Sequence, residues 1–209
     1  RTPGPAPAEA GPPGPFRLGA IPGATPGTWI DRWRERMPDD PLELVPLEVA
    51  GQREALTSGA VDAAIVRLPV DRDGLHVIAL YDEAPVVVFP ADSHLAAADE
   101  LTADDLAGEV LIVPVDDVLD LDVPGTVAPA FDPPATTPEA IATVAAGVGI
   151  LIVPMSLARL HHRRDLAHRV LAGGPASTVA LAWPAERTTP LVDAFVGIVR
   201  GRTANSSRS

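Results

Sequence analysis

The 209-residue sequence contains no cysteine, and this absence excludes several kinds of chemistry at once. Without a thiol the chain forms no disulfide, no thiolate zinc site and no cysteine nucleophile, and it cannot sense oxidants through a thiol. Long apolar runs are also lacking, since none approaches the roughly 20 residues that span a bilayer, and no signal-peptide pattern is present. We therefore expect no membrane partner.

Positive charge is scarce as well. The chain has 16 Lys+Arg against 28 Asp+Glu, which gives a formal net charge of -12. A surface with this balance repels nucleic acid and anionic lipid, so we expect no direct nucleic-acid binding by this chain. Hydrophobic residues make up 46% of the sequence, which is enough for a substantial core. These features predict one large or two small globular domains.

The two ends of the chain differ from its middle. Residues 1–15 are almost entirely Pro, Gly and Ala and are expected to form a disordered arm, and residues 203–209 are expected to form a disordered tail. From FRLGAI to VDAAIV, apolar strands alternate with helical patterns, which predicts a βαβαβ unit with a parallel sheet covered on both faces. A final helix with Leu191 and Phe195 on one face is expected to return to this unit.

The stretch TVAAGVGILIVPMSLARL, residues 143–160, raises the question of a phosphate-binding glycine loop. Phosphate loops place their glycines after a strand and before a helix, so that the helix N-terminus faces the anion. Here the order is reversed, because a helical apolar stripe precedes Gly147 and Gly149 and a β-branched run follows them. The stretch therefore predicts helix, glycine turn, strand and helix.

Three stretches resemble the recurring segments of one family. ALTSGAVDAAIVRL has a leucine, a glycine and then Asp62 before an apolar strand. VVVFPADSHLAAADELTADDL has an apolar strand, a histidine and a short Asp-Leu helix, and TVAAGVGILIVP has two glycines, a strand and a proline. In this order and spacing, the chain from Phe16 to Arg202 resembles the effector-binding domain of LysR-type transcriptional regulators.

The resemblance implies an α/β fold of the two-lobed, type II periplasmic-binding-protein-like kind, with two mostly parallel sheets flanked by helices and joined by two crossover strands. It places lobe I at residues 16–84 plus 181–202 and lobe II at residues 85–180, with crossovers near residues 85–88 and 179–183. A small-molecule effector, expected to be an anionic metabolite, would bind between the lobes. The resemblance further implies a cytoplasmic homodimer.

Members of this family normally carry a winged helix-turn-helix and a linker helix before the effector-binding domain. Neither is contained in these 209 residues. The resemblance therefore leaves open whether the chain is part of a longer regulator or a stand-alone effector domain. Two further functions share the fold: an extracytoplasmic solute-binding protein that feeds a transporter, and a ligand-free interaction domain.

Ligands of α/β sheets bind beyond the carboxyl ends of strands, where helix N-termini offer free backbone N–H groups. Together with the resemblance, this rule selects the candidate effector-binding residues Gly23, Ala24, Thr25, Thr28, Gln52, Arg67, Thr136 and Thr137. Arg67 would hold a carboxylate by a two-point pair. The alternatives are simple helix capping by the threonines and a surface ion pair of Arg67 with Asp71 or Asp73.

The other patterns in the sequence do not indicate a catalytic or metal site. The histidines of HHRRDLAH point in different directions on a helix, which predicts a solvated basic patch. Residues 116–122, DDVLDLD, lack the glycine and glutamate of a calcium loop and predict an exposed acidic loop. Ser156 and Ser177 lack a nucleophile-elbow sequence. We therefore predict that the chain is no enzyme and has no catalytic residue, no metal and no cofactor.

Overall fold

The computed structural model describes residues 14–201, so the rest of the predicted arm and the predicted tail lie outside the described residues. The strands are β1 (Phe16–Ala20), β2 (Leu42–Pro46), β3 (Ala63–Arg67), β4 (Leu75–Glu83), β5 (Pro85–Pro90), β6 (Glu100–Leu101), β7 (Leu111–Ile112), β8 (Ile150–Pro154), β9 (Leu166–Leu171) and β10 (Ser177–Pro184). The α-helices are α1 (Gly27–Arg36), α2 (Gln52–Thr57), α3 (Thr137–Ala145), α4 (Met155–Leu160) and α5 (Pro190–Val199).

Each of two five-stranded sheets forms the centre of one lobe. The sheet of lobe I has the order β2-β1-β3-β10-β4, and the sheet of lobe II has the order β6-β9-β5-β8-β7. Strand β10 is antiparallel to both β3 and β4, and β5 is antiparallel to both β8 and β9. The sheets are therefore mixed rather than mostly parallel, because the two strands that arrive from the other lobe run against their neighbours.

The chain passes from one sheet to the other twice. The first crossing is Ala84, between β4 and β5, and the second lies between Leu171 and Ser177. Strand β10 pairs with β4 along its whole length. A division between residues 180 and 181 therefore falls inside a strand of lobe I, because the continuous apolar run of β10 gives no mark of where the chain changes sheets.

Aromatic rings connect β1, α1 and α5 in the core of lobe I. The ring of Phe16 on β1 stacks on Trp33 of α1 with centroids 4.7 Å apart, and the ring of Phe195 on α5 lies 5.3 Å from Phe16. All three side chains are buried. Helix α5 thus completes the core that β1 and α1 begin. Trp33 is a core residue.

Two glycines connect α3 to β8 in lobe II. Gly147 has a φ of 80°, in the region that favours glycine. A Cβ atom at Gly149 would overlap the carbonyl oxygen of Val110, so this backbone approach also requires glycine. Strand β8 follows with all of its residues buried, and α4 begins directly after Pro154. The predicted order of helix, glycine turn, strand and helix is confirmed.

Candidate functional site

A cleft of about 580 Å³ lies between the two lobes. Lobe I contributes the turn after β1 and the end of β4, and lobe II contributes α4. The lining residues are Gly23, Ala24, Thr25, Tyr81, Asp82, Glu83, Ala84, Met155, Ser156, Arg159 and Leu160. Small-molecule pockets typically have volumes of roughly 300–1,000 Å³. The cleft is therefore large enough for a small ligand, which would contact both lobes.

The turn between β1 and α1 forms the wall of the cleft on lobe I. Gly23 has a φ of 82°, and a Cβ atom there would overlap the side chain of Ser156 on α4. The two lobes can approach this closely only because position 23 is glycine. Ala24 and Thr25 also line the cleft, and Thr25 makes no capping hydrogen bond to α1, whose N-cap is Pro26. Three predicted residues are therefore found in the cleft.

Gln52 holds the end of β3 in place. The backbone N–H of Arg67 donates to Oε1 of Gln52 at 2.9 Å, and Nε2 of Gln52 donates to the carbonyl oxygen of Arg67 at 2.8 Å. The Gln52 side chain is buried and does not belong to the cleft lining. In this structure its amide group fixes the backbone of Arg67.

The guanidinium of Arg67 lies beneath the cleft and connects the two lobes. Its Nη2 donates to Oε2 of Glu83 at 2.8 Å, and its Nη1 donates to Oγ of Ser177 at 2.7 Å. Ser156 of lobe II donates to the same Glu83 oxygen at 3.0 Å and lies 3.5 Å from Nη2 of Arg67. Charge-assisted hydrogen bonds of this kind are about twice as strong as neutral ones. We call these four side chains the interlobe network.

The interlobe network changes the interpretation of Arg67. The carboxylate of Glu83 occupies the position at which a ligand carboxylate was expected, and the Arg67 side chain is only 2% exposed. The structure does not show the alternative of a surface ion pair, because Arg67 is buried against Glu83 and Asp71 pairs with Arg53, at 3.2 Å. The guanidinium therefore supports the floor of the cleft instead of presenting a free charge to a ligand.

Besides Gln52 and Arg67, the three predicted threonines Thr28, Thr136 and Thr137 lie outside the cleft lining. Thr28 is exposed on α1. Thr136 caps α3, because its hydroxyl accepts the N–H of Glu139 at 3.4 Å. The hydroxyl of Thr137 donates to Asp116 at 2.9 Å and ties the acidic loop to α3. For Thr136 the capping alternative is the one that the structure shows.

Tyr81, Ser156 and Arg159 line the cleft although sequence reasoning did not select them. Burial raises the pKa of the Tyr81 phenol, and the negative charge of Glu83 raises it further, so the hydroxyl stays protonated and can donate a hydrogen bond. Arg159 is exposed and forms no ion pair with any residue between 14 and 201. It is a free cation at the edge of the cleft.

Two sequence signals could have identified Tyr81 and Ser156, whereas the sequence gives no such signal for Arg159. The stretch YDEAP places an aromatic and two acidic residues directly before a buried apolar strand, which marks a polar segment at a crossing point. Ser156 follows the proline that ends a buried strand and lies in the first turn of the next helix. The rule that ligands bind beyond strand ends therefore applies to Ser156.

The remaining patterns of the sequence form no second site in the described part of the chain. Between residues 14 and 201, no group of three or more His, Cys, Asp or Glu side chains is arranged to hold a metal ion. The space beside His161, His162 and His168 measures only about 10 Å³. The helices found in this range are all too short or too polar to cross a membrane.

Comparison with known proteins gives matches over nearly the whole chain. The family model described as LysR substrate binding domain matches residues 9–204. The Hca operon transcriptional activator HcaR of Escherichia coli (strain K12) is 27% identical over 186 residues, which are 84% of this chain and 62% of HcaR. The chain thus spans less than two thirds of the length of this relative.

Solved structures show the same fold. A mutant OxyR regulatory domain from Pseudomonas aeruginosa has a TM-score of 0.69 and 25% identity, and the match covers 91% of this chain and 98% of that domain. The BenM effector binding domain with its effector benzoate has a TM-score of 0.70 and 20% identity, with 90% of this chain and 94% of that one covered.

Proposed function

The chain belongs to the LysR substrate-binding domain family, and from this premise we propose that it binds a small-molecule effector in the cleft between its lobes. The observation that carries the proposal is the cleft of about 580 Å³, which is lined from both lobes. A ligand that contacts both lobes favours the arrangement in which they lie close together. In a longer regulator, this change would be transmitted to a DNA-binding dimer.

The proposed roles of the lining residues follow from their chemistry. Arg159 binds a carboxylate of the effector, because a free guanidinium offers paired donors that match two carboxylate oxygens. The phenol of Tyr81 donates a hydrogen bond, and the turn offers the backbone N–H groups of Gly23 and Thr25, whereas that of Ala24 donates to the carbonyl oxygen of Ile21. Gln52 and Arg67 act from beneath by fixing the end of β3 and the interlobe network.

We further propose that the chain is a regulatory domain rather than an enzyme, and that it works as a homodimer in the cytoplasm. HcaR, its relative, is a transcriptional activator. Because the chain contains no cysteine, its signal is a bound molecule and not a change of thiol state. Binding by mass action would also stabilise the folded chain, by about 2.7 kcal/mol at a ligand concentration of 100 Kd.

Calorimetric titration of the 209-residue chain with a panel of small carboxylates, benzoate among them, tests this function. We expect one chemical class to bind and to raise the melting temperature. Arg159→Gln should weaken that ligand by about 1.5–3 kcal/mol, because the substitution removes a charged hydrogen-bond donor. The matched control Arg164→Gln removes an exposed cation of the same lobe that does not line the cleft, and it should leave the Kd unchanged.

Two results would contradict the proposal. If no compound of the panel binds or stabilises the chain, the lobes serve as an interaction domain without a ligand. If Arg159→Gln and Arg164→Gln weaken binding equally, the ligand responds to the overall charge of lobe II and not to the cleft.

A further inference from the structure

The cleft carries charges of opposite sign on its two sides. Asp82 and Glu83, at the end of β4, line it from lobe I, and Arg159 lines it from lobe II. The second guanidinium nearby, that of Arg67, is buried and already paired with Glu83. A ligand with only negative charge would gain the contact with Arg159, but it would also lie beside two carboxylates, which disfavours it.

Both carboxylates keep an oxygen that can accept a donor from a ligand. Oδ1 of Asp82 accepts the hydroxyl of Thr178 at 2.6 Å, and the residues between 14 and 201 supply no donor to its Oδ2. The two hydrogen bonds to Glu83 both end on Oε2, which leaves Oε1 without a donor from the same range. The side of the cleft on lobe I therefore offers two acceptor oxygens of negative charge.

The electrostatic effect on Tyr81 shows which charge dominates on this side. After burial, the charge of Glu83 is the larger influence that raises the pKa of the phenol, and the opposing influence of Arg67 is smaller. Asp82 and Glu83 together outnumber the single buried guanidinium of Arg67, so the lobe I side of the cleft carries a net negative charge. Such a charge attracts a cationic group.

We infer that the effector is a zwitterion, an amino acid whose carboxylate faces Arg159 on lobe II and whose ammonium group faces Asp82 and Glu83 on lobe I. Met155, Leu160 and Ala84 provide apolar lining for its carbon skeleton. This inference rests on the proposed function and narrows its ligand class. It also gives closure a driving force, because each charge of the ligand is matched by a different lobe.

Matched pairs of compounds that differ only in the ammonium group test the inference. We would titrate the 209-residue chain with L-leucine and 4-methylpentanoate, L-phenylalanine and 3-phenylpropanoate, and 6-aminohexanoate and hexanoate at neutral pH. The pairs vary the separation of the two charges and the shape of the apolar body. In at least one pair the amino acid should bind about tenfold or more tightly than its deamino partner, since it adds a charged hydrogen bond.

The variant Asp82→Asn separates the role of the charge from that of the shape. Asparagine is isosteric and can still accept the hydroxyl of Thr178, so the fold is preserved. The preference for the amino acid should fall about tenfold in this variant. Asp39→Asn, an exposed acidic position outside the cleft lining, is the control and should keep the full preference.

The outcomes distinguish this inference from the proposed function. Equal or tighter binding of the deamino compounds overturns the zwitterion and leaves a carboxylate sensor. The same conclusion follows if all six compounds are silent while another carboxylate of the first panel binds. If no compound of either panel binds, the proposed function itself is rejected. A preference that survives Asp82→Asn unchanged also contradicts the assigned ammonium position.

Discussion

At the scale of single residues, burial decides what Arg67 does. A guanidinium that is 2% exposed has lost most of its hydration and needs partners that compensate for it, and Glu83, Ser156 and Ser177 supply them. The position of Arg67 at the end of a strand was predicted from the sequence. Its depth of burial was not. The depth depends on serines that lie 89 and 110 residues later in the chain, and no local pattern encodes such contacts.

The substitution Arg67→Ala tests the importance of this pairing. It leaves the carboxylate of Glu83 largely buried without its cation, so we expect the free energy of unfolding to fall by about 3–5 kcal/mol. The control Arg53→Ala removes an arginine from a pair with Asp71 in which the side chains are 38% and 67% exposed. Such a surface pair contributes less than about 1 kcal/mol. Urea denaturation measures both, and equal losses would contradict the role of burial.

At the scale of elements, signals that lie close together in the sequence predict helices and strands well. The pairing of distant strands cannot be predicted from them. The glycines and the β-branched run around residue 150 define α3, β8 and α4 because the signals for a helix stop, a strand and a helix start are all close in sequence. The mixed pairing of the sheets was not predicted. It follows from the insertion of β10 between β3 and β4 and of β5 between β9 and β8, which depends on where the chain enters each lobe from the other.

Replacing glycine by alanine should lower the stability of the fold at one position and raise it at another. Gly149→Ala places a Cβ atom against the carbonyl oxygen of Val110, and such overpacking typically costs about 1–3 kcal/mol. Gly197→Ala lies within α5, where a Cβ atom meets nothing within 4 Å, so alanine should stabilise the helix by about 0.5–1 kcal/mol. Thermal and chemical denaturation would show the sign of each change, and equal signs would refute the distinction.

At the scale of the whole molecule, the lining of the cleft depends on how the lobes meet. The resemblance to LysR effector domains predicted a site between the lobes, and the strand-end rule found Gly23, which lies on lobe I. Arg159 was not among the predicted residues, because it lies on α4, which follows a strand of lobe II. Only the packing of Ser156 against Gly23 brings that helix to the cleft. Chemistry that spans two lobes is therefore visible in the structure and not in either segment alone.

Strand β1 and helix α5 also meet only in the folded molecule, which gives a test of how the lobes unfold. Phe195→Ala removes a buried ring that contacts Phe16 and Trp33, so we expect a loss of about 3–5 kcal/mol. Phe131→Ala is the control at a ring that is 41% exposed on lobe II, and such surface changes usually stay within about 0.5 kcal/mol.

Two probes can follow this transition separately. All three tryptophans belong to lobe I, so their fluorescence reports that lobe alone, whereas far-ultraviolet circular dichroism reports both lobes. Because the Arg67, Glu83 and Ser156 side chains join the lobes through part-buried hydrogen bonds, we expect both probes to give the same lowered midpoint in Phe195→Ala. A fluorescence midpoint below the dichroism midpoint would mean that lobe I unfolds by itself and that the interlobe network does not couple the lobes.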